Sequence, residues 1–300
     1  MDNKQHSALD APVQKIQDLI DQVFNPPPVV GVLRLAGVIG QLGHVRRGLD
    51  LASMAGPIER VFKLKNLKAV ALAINSPGGS PVQAALIAKR IRAMAEEKEI
   101  PVIAFTEDVA ASGGYWLACV ADEIFADENS IIGSIGVISA GFGFTDLLKQ
   151  YGIERRMHAM GERKGMLDPF QKEKAEDVEH LKSIQRDIYE SFQRLVTERR
   201  HGKLKAEEDE LFSGAFWTGT RALEMGLIDG IGDMRSVMRD RFGEKVRLRL
   251  VAPHQSWWQR HLKLPGSGPV GGQGATGEAA WPSELLSAVE ERLIWNRFGF

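Results

Sequence analysis

Residues 68–80 read KAVALAINSPGGS, and residues 101–116 read PVIAFTEDVAASGGYW. Both open on a short, almost uninterrupted apolar run, the pattern of a strand buried on two faces. Both then pass through small residues and paired glycines before a helical pattern begins. After the first, Ile87, Ile91 and Met94 mark one face of a helix over 81–98. After the second, residues 113–121 suit a short helix. Strand, glycine turn and helix, twice in succession, predict an α/β domain.

Working outward, strands are predicted at 29–35, 123–126, 135–140 and 153–158, and a helix at 144–150. The longest helix is predicted over 170–200, with Val178, Leu181, Ile184, Ile188, Phe192, Leu195 and Val196 as its apolar stripe. A last helix and strand lie near 234–251. Several intervals between strands are too short for a helix each time, so repeated ββα units are expected. Residues 13–24 have helical spacing, ended by Pro26, Pro27 and Pro28. Residues 265–278 hold six glycines and read as a flexible linker. Beyond them, 282–296 reads as an amphipathic tail helix. It could dock on its own core, a sister subunit or a membrane surface, and Glu284, Glu290 and Glu291 disfavour the last.

Composition narrows the functional classes. With 38 Lys+Arg against 39 Asp+Glu the net charge is -1, which gives no global field for holding nucleic acid. The single cysteine cannot form an internal disulfide, and no Cys/His set has zinc-ligand spacing, so no metal is predicted. The N-terminus lacks a signal-peptide pattern, and no run approaches the ~18–20 apolar residues of a spanning helix. A reducing, cytoplasmic location is expected, with peripheral contact to the inner membrane left open.

Two loops carry candidate chemistry. The turn Asn75-Ser76-Pro77-Gly78-Gly79-Ser80 offers free N–H groups near a helix start, which bind developing negative charge. It reads equally as a plain glycine turn. In Ala110-Ala111-Ser112-Gly113-Gly114-Tyr115-Trp116 the serine begins a helix, so it is either an exposed nucleophile or an N-cap. A serine nucleophile needs a base. Among seven histidines, His158 at a predicted strand end is the one serious candidate. Lys164, in the polar loop 161–170, is the other, and serves only if burial favours its neutral amine.

The ordered run of motifs resembles the signal peptide peptidase A (protease IV) family of serine peptidases. The resemblance rests on SPGG at 76–79, ASGGYW at 111–116, GSIGV at 133–137 and GxxK…PF at 161–170. It closes with Trp217-Thr218-Gly219 and Gly226-Leu227-Ile228-Asp229. It implies a Clp/crotonase-like fold over a single peptidase domain, 29–250, with helical extensions at 1–28 and 251–300. It also implies that Ser112 is the nucleophile, Lys164 the general base, and Ser134 the residue orienting the lysine. Gly79 and Gly113 would form the oxyanion hole, and no cofactor is required. Ser80, Tyr115 and Trp116 would line the substrate pockets. Peptides, released signal peptides among them, would be the substrates, cleaved by a ring-like homo-oligomer in which Ser112 and Lys164 can come from neighbouring protomers. Two other readings share the fold. One is a Ser-His-Asp peptidase using His158. The other is a crotonase-type acyl-CoA enzyme, which uses glutamates with its oxyanion hole, or a non-catalytic scaffold.

Overall fold

The computed structural model describes residues 26–42, 46–252 and 292–299. The expected helix at 13–24 and linker at 265–278 lie outside the described residues. Of the expected tail helix, 292–296 are described and are helical.

The strands are β1 (Val29–Ala36), β2 (Gln41–Leu42), β3 (Arg46–Arg47), β4 (Leu67–Ser76), β5 (Val102–Ala111), β6 (Glu123–Ala126), β7 (Ile131–Gly133), β8 (Phe216–Thr218), β9 (Gly230–Ile231) and β10 (Arg247–Leu250). The helices are α1 (Leu51–Val61), α2 (Pro81–Lys98), α3 (Gly113–Ala118), α4 (Thr145–Gln150), α5 (Ala175–Arg199), α6 (Glu208–Leu211), α7 (Gly219–Glu224) and α8 (Met234–Phe242). The main sheet runs β10-β1-β4-β5-β6-β9, all parallel. The far half of β5 leaves β6 and pairs with β7, which pairs antiparallel with β8.

This is the expected α/β architecture, and its central strands show why it forms. Val30 and Val32 of β1, Ala69, Ala71 and Ala73 of β4, and Ile103 and Phe105 of β5 pack on one face, against Met238 of α8. Leu33, Leu35, Val70, Leu72, Ile74, Val102 and Ala104 alternate with them and meet α1, α2 and α3 on the other face. Both faces are covered, so these strands are apolar throughout. Each buried Val, Leu or Ile contributes about 1.5–3 kcal/mol, whereas an exposed ion pair such as Arg156–Glu154 contributes at most about 1 kcal/mol. The sheet faces therefore dominate stability.

Helices carry the first three crossovers. α2 begins on Ser80, whose hydroxyl accepts from Gln83 N at 3.4 Å, with Pro81 at the first helical position, where no N–H is needed. α1 was not foreseen, because Gly56-Pro57 interrupts its pattern. A capping box between Asp50 and Ser53 starts it, and Met54, Ile58 and Val61 bury its inner face.

Other expectations require correction. No strand forms at 135–140 or 153–158; β7 at 131–133 takes the pairing instead. Apolar residues there imitate strands, but Ile138 and Ile153 are exposed and meet no sheet edge among the described residues. The long helix starts at Ala175, not 170, since Asp168 accepts from Phe170 N and holds a turn after Pro169. β5 runs five residues past the apolar stretch at 101–106 expected to form it, to Ala111. Among the described residues, no helix is long and apolar enough to cross a membrane.

One buried charge cluster ties the C-terminal part of the domain to the sheet. Asp229 accepts from Arg200 at 2.6 Å, Lys203 at 2.7 Å and Ile124 N at 2.8 Å. Arg200 is 2% exposed and also donates twice to Gly226 O. Burial alone would raise the Asp229 carboxyl; the hydrogen bonds from Arg200 and Lys203 outweigh it and hold the group below the usual carboxylate range. The resulting stabilisation is present above the unfolded value of ~3.9 and is lost as pH falls through the lower folded value. Removing one partner strands the other charge in the interior. Asp229→Ala should lower stability by about 3 kcal/mol at neutral pH, read as a shift of the urea unfolding midpoint, and the gap to wild type should narrow in acid.

Candidate active site

β4 and β5 end side by side, with Ser76 opposite Ala110. In a parallel sheet the groove beyond the C-terminal strand ends is where ligands sit. Here the two glycine turns meet in that groove. Gly78 and Gly79 have φ of +105° and +137°, angles that side chains rarely tolerate. A methyl on Gly78 would lie 2.8 Å from Ser112 Cβ and 2.9 Å from Gly113 N. A methyl on Gly79 would lie 2.1 Å from Ile39 O. The turns approach this closely because neither glycine has a side chain.

Ser112 adopts φ 52°, ψ -121°, a conformation that costs a non-glycine residue about 1–3 kcal/mol. Its surroundings enforce it. Ser112 N donates to Gly133 O at 2.8 Å, Ser112 O accepts from Trp116 N at 3.0 Å, and Gly114 leaves no room for a side chain against Ser76 O. The Ser112 hydroxyl makes no capping bond. Of the two readings open for this residue, the N-cap is therefore not what the hydroxyl does. The N–H groups of Gly79 and Gly113 likewise donate to no acceptor among the described residues, and a methyl on Gly113 would lie 3.5 Å from Gly79 N. A free hydroxyl thus stands beside two free N–H groups at the start of α3.

Ser112, Gly79, Gly113, Ser134 and Trp116 line one cavity of about 770 Å3, a volume ordinary for a ligand site. Ser134 is buried at φ 52°, its N–H donating to Ala215 O at 2.6 Å. Trp116 packs on Phe192 of α5, ring centroids 4.9 Å apart.

Other expected residues sit elsewhere. Ser80 caps α2. Tyr115 is not a pocket residue: it is wholly buried, and its hydroxyl donates to Leu227 O at 2.7 Å, tying α3 to the segment clamped by Arg200 and Asp229. Lys164 is exposed and does not line the cavity within one chain, and His158 is exposed as well. Among the described residues, no histidine and no glutamate lines the cavity. The lone cysteine, Cys119, is buried, and desolvation pushes its thiol up to about 12, so it offers no thiolate. Nor do the described residues hold a cluster suited to a metal ion.

The sequence reading missed Phe192, Ser213 and Gly214 as cavity residues, along with Leu293, Ile294, Arg297 and Phe298. They lie 80 or more residues from Ser112, and no local pattern announces such contacts.

The sequence pattern of Peptidase family S49 matches residues 94–245, more than half of the chain. The chain belongs to peptidase family S49. Among its relatives, a protein of Brucella abortus (strain 2308) named Na(+)/H(+) antiporter NhaA is 51% identical over 273 residues, 90% of this chain and 37% of that protein. A similarly named protein of Brucella melitensis is 50% identical over the same lengths. The chain thus spans little more than a third of these relatives. The putative signal peptide peptidase SppA of Enterococcus faecium is 34% identical over 67% of this chain and 59% of its own length. A solved structure of a membrane-bound stomatin-specific protease with a substrate peptide aligns at 17% identity and TM-score 0.48, covering 78% of this chain and 95% of that one.

The crowding between the turns makes a direct prediction for this S49 member. Gly78→Ala places a methyl against Ser112 Cβ and Gly113 N, so the serine must shift by a few tenths of an ångström or more. Peptide cleavage should fall about 100-fold while circular dichroism still reports a folded chain.

Proposed function

We propose that the protein is a serine endopeptidase in which Ser112 and Lys164 form the catalytic dyad. The observation that carries this reading is the free Ser112 hydroxyl, held at φ 52° beside the unpaired N–H groups of Gly79 and Gly113. Ser112 Oγ attacks the scissile carbonyl carbon, and its proton passes to the Lys164 amine. The carbonyl oxygen becomes an oxyanion and takes hydrogen bonds from Gly79 N and Gly113 N, each worth about 3–4 kcal/mol in the transition state. As the intermediate collapses, the lysine returns the proton to the leaving amine, and water then hydrolyses the acyl-enzyme by the same route. Ser134, with its hydroxyl at the cavity, orients the lysine ammonium.

A solvated lysine is protonated and has no lone pair to give. Within one chain Lys164 is exposed and outside the cavity. We place it instead at the serine of a neighbouring copy, where assembly buries it and favours the neutral amine. The segment that carries it displays Ile138, Phe142, Tyr151 and Met160 to solvent, apolar surface that a homo-oligomer would cover. Apolar peptides suit the cavity, whose lining includes Trp116, Val137, Ile138, Ile188 and Phe192. Released signal peptides are such peptides, and the Enterococcus faecium relative is named for them.

Ser112→Ala and Lys164→Ala should each reduce peptide cleavage at least 1,000-fold. Mixed and reassembled, the two inactive variants should recover part of the wild-type rate, because some sites then pair an intact serine with an intact lysine from the next copy. Full activity in Lys164→Ala overturns the dyad. Absence of recovery in a mixed oligomer overturns the shared site.

A further inference from the structure

The cavity beside Ser112 is lined by apolar side chains, glycines, prolines and hydroxyls, with one exception. Among the described residues, Arg297 is the single ionisable side chain in its lining. It arrives on the segment 292–299, far from the serine in sequence. An apolar anchor seats that segment: Phe298 is 8% exposed, packs on Val109 and Ala111 of β5, and meets the Phe216 ring edge-on at 5.2 Å. Ala111 precedes Ser112 directly, so the strand that presents the serine also seats the segment carrying Arg297. The guanidinium lies 5.8 Å from the Phe298 ring, and no carboxylate among the described residues pairs with it.

We infer that Arg297 is a specificity residue of the peptide cleft and selects peptides that present a carboxylate. This rests on the reading of the cavity as a peptide site. A guanidinium binds a carboxylate with two parallel N–H···O bonds. Arg297 is exposed, with the Phe298 ring beside its guanidinium, and its charge attracts an incoming anion. Apart from its hydroxyls and glycines the remaining lining is apolar, which suits a carboxylate attached to an apolar stretch. Either a free chain end or an Asp or Glu side chain supplies that chemistry.

The test uses the full chain and three sets of fluorogenic peptides built on one apolar sequence. One set ends in an amide, one in a free carboxylate, and one carries an Asp scanned along an amidated chain. Wild type should cleave the best carboxylate peptide about fivefold faster in kcat/KM than the amide, chiefly through KM. Preference for the second set alone identifies the chain end as the source; preference within the third identifies the side chain. The ratio should fall to about one in Arg297→Ala, survive in Arg297→Lys, and invert in Arg297→Glu. A wild-type ratio of one, or a preference that persists in Arg297→Ala, overturns the assignment while leaving the peptidase intact. Failure of wild type to cleave any of the peptides overturns the peptidase reading instead. Fluorescence anisotropy of the same peptides on Ser112→Ala then decides Arg297 without turnover. Tighter carboxylate binding that Arg297→Ala removes supports the assignment, and equal binding of all three sets overturns it.

Discussion

A hydrogen atom is the largest substituent that fits between Gly78 and Ser112. The site depends on that closeness. Parallel pairing of β4 and β5 brings two strand ends together, with Ser76 opposite Ala110. The turn after β4 can lie against the turn after β5 because it has no side chains at 78 and 79. Beside the contact, the N–H groups of Gly79 and Gly113 and the serine hydroxyl have no partner among the described residues. Ser112 keeps its strained backbone because β7 accepts its N–H and α3 begins at once. Tyr115 then fastens α3 to Leu227, and Arg200 and Asp229 fasten that segment to β6. A local conformation costing about 1–3 kcal/mol is thus held by a path of buried contacts that spans more than 100 residues.

The cavity has an electrostatic character of its own. It offers N–H dipoles and hydroxyls but neither a histidine nor a glutamate among the described residues, a set suited to stabilising an oxyanion and short of a proton acceptor. The proposed acceptor sits on an excursion, residues 137–174, which exposes Ile138, Phe142, Tyr151 and Met160 in a single chain. In the proposed assembly a second copy covers this apolar surface and completes the site. Charge enters the cavity from farther along the chain, through Arg297.

Most of the scaffold was legible from residue patterns. Strands β1, β4 and β6 and helix α2 fall within a residue or two of expectation, because burial on both faces leaves a continuous apolar run and because Ser80-Pro81 is a local start signal. The excursion misled for the same reason. Ile138 and Ile153 look like strand residues, yet apolar spacing does not reveal whether a sheet edge is available. Tyr115 was misplaced because an aromatic residue beside a glycine pair fits a pocket and a core equally well. Its hydroxyl partner, Leu227 O, is 112 residues away. Helix α1 was hidden by Gly56-Pro57, which local propensity penalises and tertiary packing of Met54 and Ile58 overrides.

What the sequence determined by itself is local and periodic: an α/β chain, two glycine turns after buried strands, a serine opening a helix, and the ordered motifs of a peptidase family. What the tertiary structure decided is which of these meet. It turned Ser112 from a possible helix cap into a free hydroxyl, set Gly79 and Gly113 N–H beside it, removed Tyr115 to the core, left Lys164 outside the cavity of its own chain and brought Arg297 in. Side-chain period and turn chemistry are written in neighbouring residues. Contact between residues more than 50 positions apart follows from strand pairing and the exclusion of water from a shared interior, and neither has a local signature.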